Sequence, residues 1–138
     1  MSASTIKFRY KYCAPYVYRP IISIELKYKN KHPFEHEVLV DSGADICIFD
    51  SQLGDILGID VPTGEKRTVS GVTGDSREYF LHDLTIKVDR FSHNIRAGFM
   101  QGMSESGAYG IVGQTGFFEY FIISFDRAKR EIQLKHKE

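Results

Sequence analysis

The chain has 138 residues, of which 42% are hydrophobic and 26% are charged, with 18 basic and 18 acidic side chains. This length suits one hydrophobic core and is too short for two ordinary domains, so we expect a single domain over residues 1–138. A net charge of zero gives no electrostatic reason to expect nucleic acid or an anionic membrane as a partner, and no apolar run approaches the roughly 20 residues that span a bilayer.

Alternation of apolar and polar residues predicts β-strands along most of the chain. It is clearest in residues 5–12, where apolar residues alternate with basic ones, and again in residues 20–29. Residues 36–41 and 80–88 predict two further strands, and residues 121–125 and 130–134 predict a pair joined by a turn. The apolar positions of the first two strands are Ile6, Phe8, Tyr10, Ile22, Ile24, Leu26 and Tyr28.

Two short helices are predicted. Asp50 is placed to cap the N-terminus of a helix in which Leu53, Ile56 and Leu57 share one face. Gly58 is placed to end that helix in a left-handed conformation. A second short helix is predicted over residues 115–120. The predicted fold class is therefore mostly β, with one or two short helices.

The candidate functional motif lies at residues 38–45, where the apolar run Val38-Leu39-Val40 leads directly into Asp41-Ser42-Gly43-Ala44-Asp45. An apolar strand end makes a dry site, which raises the cost of an ionised carboxylate and strengthens its coupling to a neighbouring charge. Gly43 leaves room for a backbone or a substrate to approach, and the Ser42 hydroxyl can both donate and accept. The alternative interpretation is an ordinary Asp-Ser-Gly turn at the end of a strand.

This motif resembles the core motif of the retropepsin family of aspartic proteases, a hydrophobic pair followed by Asp-Thr/Ser-Gly-Ala. Three further segments resemble that family in the same order along the chain. Arg19-Pro20-Ile21-Ile22 is similar to its first long strand, Thr68–Gly74 to the flap hairpin over the substrate, and Gly110-Ile111-Val112-Gly113 to the strand before its C-terminal helix. Residues 121–134 resemble the final strand pair of cellular and prokaryotic members. The likeness covers roughly residues 19–134, and residues 1–18 are an extension that could form an interface strand or block the substrate groove.

The resemblance implies a closed retropepsin-like β-barrel, one lobe per chain, acting as an aspartic endopeptidase on polypeptide substrates. Such chemistry needs two carboxylates about 3 Å apart that share one proton. The sequence holds one Asp-Ser-Gly triplet, so a homodimer would supply the second copy. The implied catalytic residues are Asp41, Ser42 and Gly43, with Ser42 bonded across the dimer axis. The implied substrate-binding residues are Ala44, Asp45, Ser70, Gly71, Val72, Thr73, Gly74 and Ile111.

One position departs from the viral members of that family. Arg followed by Asn or Asp usually comes after the second motif's glycine, whereas this chain has Gln114 and Thr115. The arginine normally pairs with an Asp at the place of Asp45, so the departure leaves the viral type of dimer interface open. Asp45 could cap the turn or contact substrate backbone.

Other functions find less support in the residues. His32 and His36 are four apart, but Pro33 between them argues against a helical metal pair, so we expect no metal and no cofactor. Two readings compete with the protease: a dimerisation or peptide-binding module that keeps this fold with weak catalysis, and a small β-barrel interaction domain with an accidental motif.

The cysteine count and the start of the chain bear on location. Cys13 and Cys47 make no disulfide framework, and Cys47 lies in an apolar stretch that predicts a buried free thiol. The first twelve residues contain no apolar segment typical of a secretory signal. We expect a cytoplasmic, reducing location.

Overall fold

The computed structural model describes residues 5–71, 73–103 and 110–137. Strands make up most of this part of the chain, as predicted from the alternating pattern. The strands are β1 (Thr5–Arg9), β2 (Lys11–Ala14), β3 (Val17–Arg19), β4 (Ile21–Lys27), β5 (Phe34–Val40), β6 (Ile48–Asp50), β7 (Glu65–Ser70), β8 (Ser76–Val88), β9 (Phe91–Met100), β10 (Gly110–Val112), β11 (Phe121–Asp126) and β12 (Glu131–His136).

Six of these strands close a barrel in the order β4-β5-β10-β6-β9-β8, with β8 pairing back onto β4. The pairs β5–β10 and β6–β9 are parallel, whereas the other pairs are antiparallel. Among the described strands, β7 pairs with β8 alone, and it extends the sheet beyond the barrel as one arm of a hairpin. The predicted closed β-barrel is confirmed, and the closure matters because a closed sheet leaves few unpaired edges.

The barrel interior is filled by the apolar face of each strand. Ile22, Ile24 and Leu26 of β4 are buried, while Ser23 is exposed and Glu25 and Lys27 are half-buried. β8 repeats the pattern with buried Leu84, Ile86 and Val88. Each fully buried side chain of this size contributes about 1.5–3 kcal/mol relative to exposure, so this alternating interior is the main source of stability.

The first described strand joins the last two in a second sheet of order β1-β12-β11. β1 pairs antiparallel with β12, and their inward residues Phe8 and Ile132 lie opposite each other. β11 pairs with the other edge of β12, which confirms the predicted C-terminal strand pair. Within residues 1–18, part of the chain is thus an additional strand of this sheet, and residues 11–19 form the β2–β3 hairpin.

The first predicted helix is present as α1, Ser51–Leu57. The Asp50 side chain caps it by accepting a hydrogen bond of 2.8 Å from the Gln52 N–H, and Gly58 ends it at φ 87°. The predicted apolar face is wrong at one position, because Ile56 is 62% exposed whereas Leu53 and Leu57 are buried. A turn of 3₁₀ helix, Val61–Thr63, follows, and none of the described helices is long and apolar enough to cross a membrane.

The second predicted helix is wrong. Residues 115–120 form successive turns in which Phe118 N–H donates to Gly113 O and Tyr120 N–H donates to Phe117 O. Gly116 has φ +99°, a left-handed conformation that a right-handed helix cannot contain. The apolar spacing that suggested a helix instead buries Phe117 in the core beside Phe121.

Candidate active site

Asp41 stands at the end of β5, where the strand leaves the barrel. The neighbouring parallel strand β10 holds it there, because Asp41 N–H donates a 3.0 Å hydrogen bond to Val112 O. The two preceding paired residues, Val40 and Val112, are buried, and Asp41 itself is half-buried. Asp41 therefore stands directly after buried apolar residues, at the end of an apolar strand.

The turn after Asp41 folds back on that residue. Gly43 N–H donates to Asp41 Oδ1 at 2.9 Å, and Ala44 N–H donates to Asp41 O at 3.2 Å. One carboxylate oxygen is thus held by the turn, which fixes the direction in which the other oxygen can point. Ser42 and Gly43 are exposed, while Ala44 is half-buried.

Residues 113–115 run alongside this turn and hold it from outside. Gln114 N–H donates to Ala44 O at 2.8 Å, and Thr115 N–H donates to Asp45 O at 2.9 Å. The Gln114 side chain adds a third bond, from Nε2 to Ser42 O at 2.8 Å. This side-chain contact was not predicted, since it joins residues 72 apart in sequence. The sequence signal that pointed to this position was Gln114 itself, which stands where viral members of the family usually have arginine.

Close backbone packing at Gly113 explains why glycine is needed beside the turn. A Cβ there would lie 2.5 Å from Ala44 O and 2.6 Å from Ile46 O, closer than real contacts allow. At Gly43 the corresponding atom would lie 3.3 Å from Asp41 Oδ1, a side-chain atom. Gly113 therefore lets two backbone segments pack closely, whereas Gly43 leaves space beside the Asp41 carboxylate.

Asp45 is exposed, and its backbone carbonyl accepts the bond from Thr115. The side chain that bonds a backbone N–H inside the turn belongs to Asp41, through Gly43. Substrate contact and capping by the Asp45 carboxylate both stay predictions.

The predicted flap segment forms the β7–β8 hairpin, in which Ser70 pairs with Ser76. Gly71 N–H donates to Asp75 O at 2.7 Å, Gly74 N–H donates to Gly71 O at 3.0 Å, and Gly74 has φ +86°. Ser70, Thr73 and the two glycines are exposed, and Val72 lies outside the described residues. A substrate-closing role for this hairpin stays a prediction.

Ile111 belongs to a row of half-buried apolar side chains across the sheet. It pairs with Leu39 of β5 on one side and with Ile48 of β6 on the other. The adjacent residue, Val112, points to the opposite face and is fully buried. The row of Leu39, Ile111 and Ile48 thus faces away from the interior and forms an apolar floor close to Asp41 in the sheet.

Cys47 lies beneath the same region and confirms the prediction of a buried free thiol. Its Sγ lies 3.5 Å from Thr115 O and from the Gly113 N atom. Burial raises the pKa of the Cys47 thiol to about 11, against a lowering by the Gly113 N–H, and the Glu119 charge raises it further. This thiol is therefore protonated at neutral pH and is not a nucleophile.

Metal-binding side chains do not gather in the described part of the chain: no three His, Cys, Asp or Glu residues there could hold a metal ion together. The chemistry that the arrangement can offer is that of a carboxylate at the edge of an apolar surface.

Comparison with solved structures identifies the fold. A retropepsin-like aspartic protease from Rickettsia conorii superposes with a TM-score of 0.70 at 14% identity, covering 98% of this chain and 94% of that chain. The EIAV protease, in complex with the inhibitor HBY-793, gives a TM-score of 0.51 at 24% identity, covering 70% of this chain and 82% of that chain. No protein-family model and no curated protein sequence matches the chain. The fold is therefore that of the retropepsin-like aspartic proteases, as the sequence resemblance implied.

Proposed function

We propose that the chain is an aspartic endopeptidase that works as a homodimer, with one Asp41 carboxylate from each copy. The observation that carries this proposal is the position of Asp41: a half-buried residue at the end of an apolar strand, with one carboxylate oxygen fixed by the Gly43 N–H. The fold shared with aspartic proteases supports the proposal, together with the resemblance of residues 38–45 to the sequence motif of that family.

The dimer follows from chemistry. Two carboxylates about 3 Å apart cannot both ionise, so the pair holds one proton. The ionised member takes a proton from a water molecule that attacks the scissile carbonyl carbon, while the protonated member donates its hydrogen bond to the carbonyl oxygen. The carbonyl oxygen takes the proton of that hydrogen bond to give a gem-diol. When the C–N bond of the diol breaks, one hydroxyl returns a proton to the carboxylate that gave one up, and the other carboxyl, which holds the water's proton, protonates the leaving nitrogen. The sequence offers one Asp-Ser-Gly motif, so a second copy must bring the other carboxylate, and titration belongs to the pair.

Substrate would lie extended between the turn and the β7–β8 hairpin, bonding by its backbone as an added strand. The row of Leu39, Ile48 and Ile111 would contact apolar side chains next to the cut. Ser42, exposed in one chain, would bond across the dimer axis.

For location we propose a reducing compartment, since the chain has two free cysteines, and cell fractionation would test it.

The experiment is cleavage of a mixed peptide library over a pH series by wild type and Asp41→Asn. We expect cleavage by the wild type, its loss by at least about 10³-fold in Asp41→Asn, and an unchanged dimer by analytical ultracentrifugation. The matched control is Asp89→Asn, which removes an exposed carboxylate at the β8–β9 turn and should leave cleavage intact. Cleavage that survives Asp41→Asn would rule out the proposed pair. A folded dimer that binds peptides but cleaves none at any pH would favour the peptide-binding module.

A further inference from the structure

Gln114 makes two hydrogen bonds to the turn that carries Asp41. Its side-chain Nε2 donates to Ser42 O at 2.8 Å, and its backbone N–H donates to Ala44 O at 2.8 Å. One residue thus satisfies two carbonyls on alternate residues of the same turn. The amide orientation is dictated by its partner, because a carbonyl oxygen can only accept.

The side-chain bond comes from the same segment as the backbone bonds of Gln114 and Thr115, and it differs from the two bonds made within the turn. Gly43 and Ala44 both bond to Asp41 itself, so these contacts can move together as one unit. The Gln114 amide reaches the turn from a segment that is anchored in the core by buried Gly113 and Phe117. Since Ser42 and Gly43 are exposed, packing does not fix this part of the turn, and bonds from outside must do so.

We propose that Gln114 is a positioning residue for Asp41: its amide fixes the carbonyl of Ser42 and so sets the direction of the preceding carboxylate. The proposal rests on the proposed function for its catalytic consequence, and on geometry alone for its structural one. An uncharged amide fixes the turn without adding a positive charge to it. An arginine in this place would add such a charge and would favour the ionised form of the pair.

The catalytic test compares three substitutions at one position. Gln114→Met keeps the length but removes the donor, so we expect kcat to fall about 10-fold or more with KM within about 2-fold, because small misplacements of a reacting group are costly. Gln114→Arg restores a donor and should recover most of kcat, with the acid limb of the pH–rate profile moved to lower pH. Gln114→Glu places an acceptor against the Ser42 carbonyl and should be at least as impaired as Gln114→Met.

A second readout does not depend on catalysis. Backbone order parameters of Gly43 and Ala44 should fall from the rigid range near 0.85 towards 0.6 in Gln114→Met. The control is Gln133→Met, a similar change on β12, which should leave both amides unaffected.

The outcomes separate the two proposals. Order parameters that fall in Gln114→Met while the wild type cleaves nothing support the positioning role and reject the protease. Unchanged order parameters at Gly43 and Ala44, or a kcat that is equal in Gln114→Met and wild type, would overturn the positioning role. A pH–rate profile of Gln114→Arg that matches wild type would overturn the argument from charge.

Discussion

The segment 113–120 joins two regions of opposite character. At its start, residues 113–115 contact the candidate active-site turn through hydrogen bonds to the carbonyls of Ser42, Ala44 and Asp45. At its end, rings dominate: Tyr120 stacks on His93 with centroids 3.9 Å apart, and His136 stacks on Phe91 at 4.0 Å. The first region is exposed and is held by hydrogen bonds, which depend on direction. The second region is held by contacts between aromatic rings.

The two kinds of contact should contribute differently to activity and to stability. A hydrogen bond contributes about 0.5–1.5 kcal/mol net, but it fixes the direction of the groups that it joins, which the proposed catalytic site needs. Buried aromatic rings contribute more by area and tolerate small rotations. The proposed site also needs a second chain, whereas the aromatic region has its contacts within one chain. We therefore expect mutations to affect activity in the first region and stability in the second.

The largest expected effect is at Phe121, which is 2% exposed and contacts Phe91, His93, Phe117 and His136. Phe121→Ala should lower the free energy of unfolding by about 3–5 kcal/mol, because it removes a whole ring and leaves a cavity. Urea unfolding followed by fluorescence or circular dichroism measures this change.

Gly43→Ala is the matched change in the first region. Its new Cβ meets only Asp41 Oδ1 at 3.3 Å, so unfolding should change by less than about 1 kcal/mol while peptide cleavage falls at least about 10-fold. A large loss of stability in Gly43→Ala, or a small one in Phe121→Ala, would contradict the separation of the two regions.

A smaller effect is expected from pH at the aromatic end. His93 Nε2 and His136 Nε2 lie 2.8 Å apart, so one ring must donate while the other accepts. Burial lowers the pKa of His93 below 6.5, the positive charge of His136 lowers it further, and Glu119 acts in the opposite direction. The unfolded chain therefore binds more protons than the folded one at pH values between 6.5, the ordinary pKa of histidine, and the lower pKa of His93 in the folded chain. Stability should decrease as the pH falls through that window.

His93→Gln keeps a hydrogen-bonding amide but cannot titrate. Between pH 7.5 and 5.5 the wild-type Tm should fall further than that of the variant, measured by calorimetry. His32→Gln, a change in an exposed loop, serves as the control and should follow the wild type. Equal pH dependence in wild type and His93→Gln would show that the pair is not the titrating element.

The sequence predicted local features well and distant contacts poorly. Alternation located β1, β4, β5, the second half of β8, β11 and β12, but it missed β6, β7 and β9. Asp50 and Gly58 located the ends of α1, because those signals act over a few residues. Asp41 was identified because its whole motif is contiguous. The predicted helix over residues 115–120 was wrong because Gly116 adopts a left-handed conformation and Phe117 is used as core.

Contacts between residues far apart in sequence could not be predicted from local sequence patterns. The Gln114 side chain meets a residue 72 positions away, and His93 meets one 43 positions away. Nothing in the composition near either residue marks these partners, since they depend on which strands become neighbours. The resemblance to a family supplied the closed barrel, which is confirmed. It also supplied the candidate site, without the side-chain contacts that hold the turn in place.

The smallest expected effect concerns the thiol that lies between residues 113–116 and the rest of the core. With a pKa of about 11, Cys47 is a thiolate in only on the order of one molecule in a thousand at pH 8, and it is buried, whereas Cys13 is exposed. Native protein treated with iodoacetamide at pH 8 should therefore take up one label, at Cys13, and a second only in denaturant. Gln114→Met should leave this pattern unchanged, because it frees the exposed turn but not the buried thiol. Labelling of Cys47 in that variant, read by peptide mass spectrometry, would mean that the turn and the core beneath it open together.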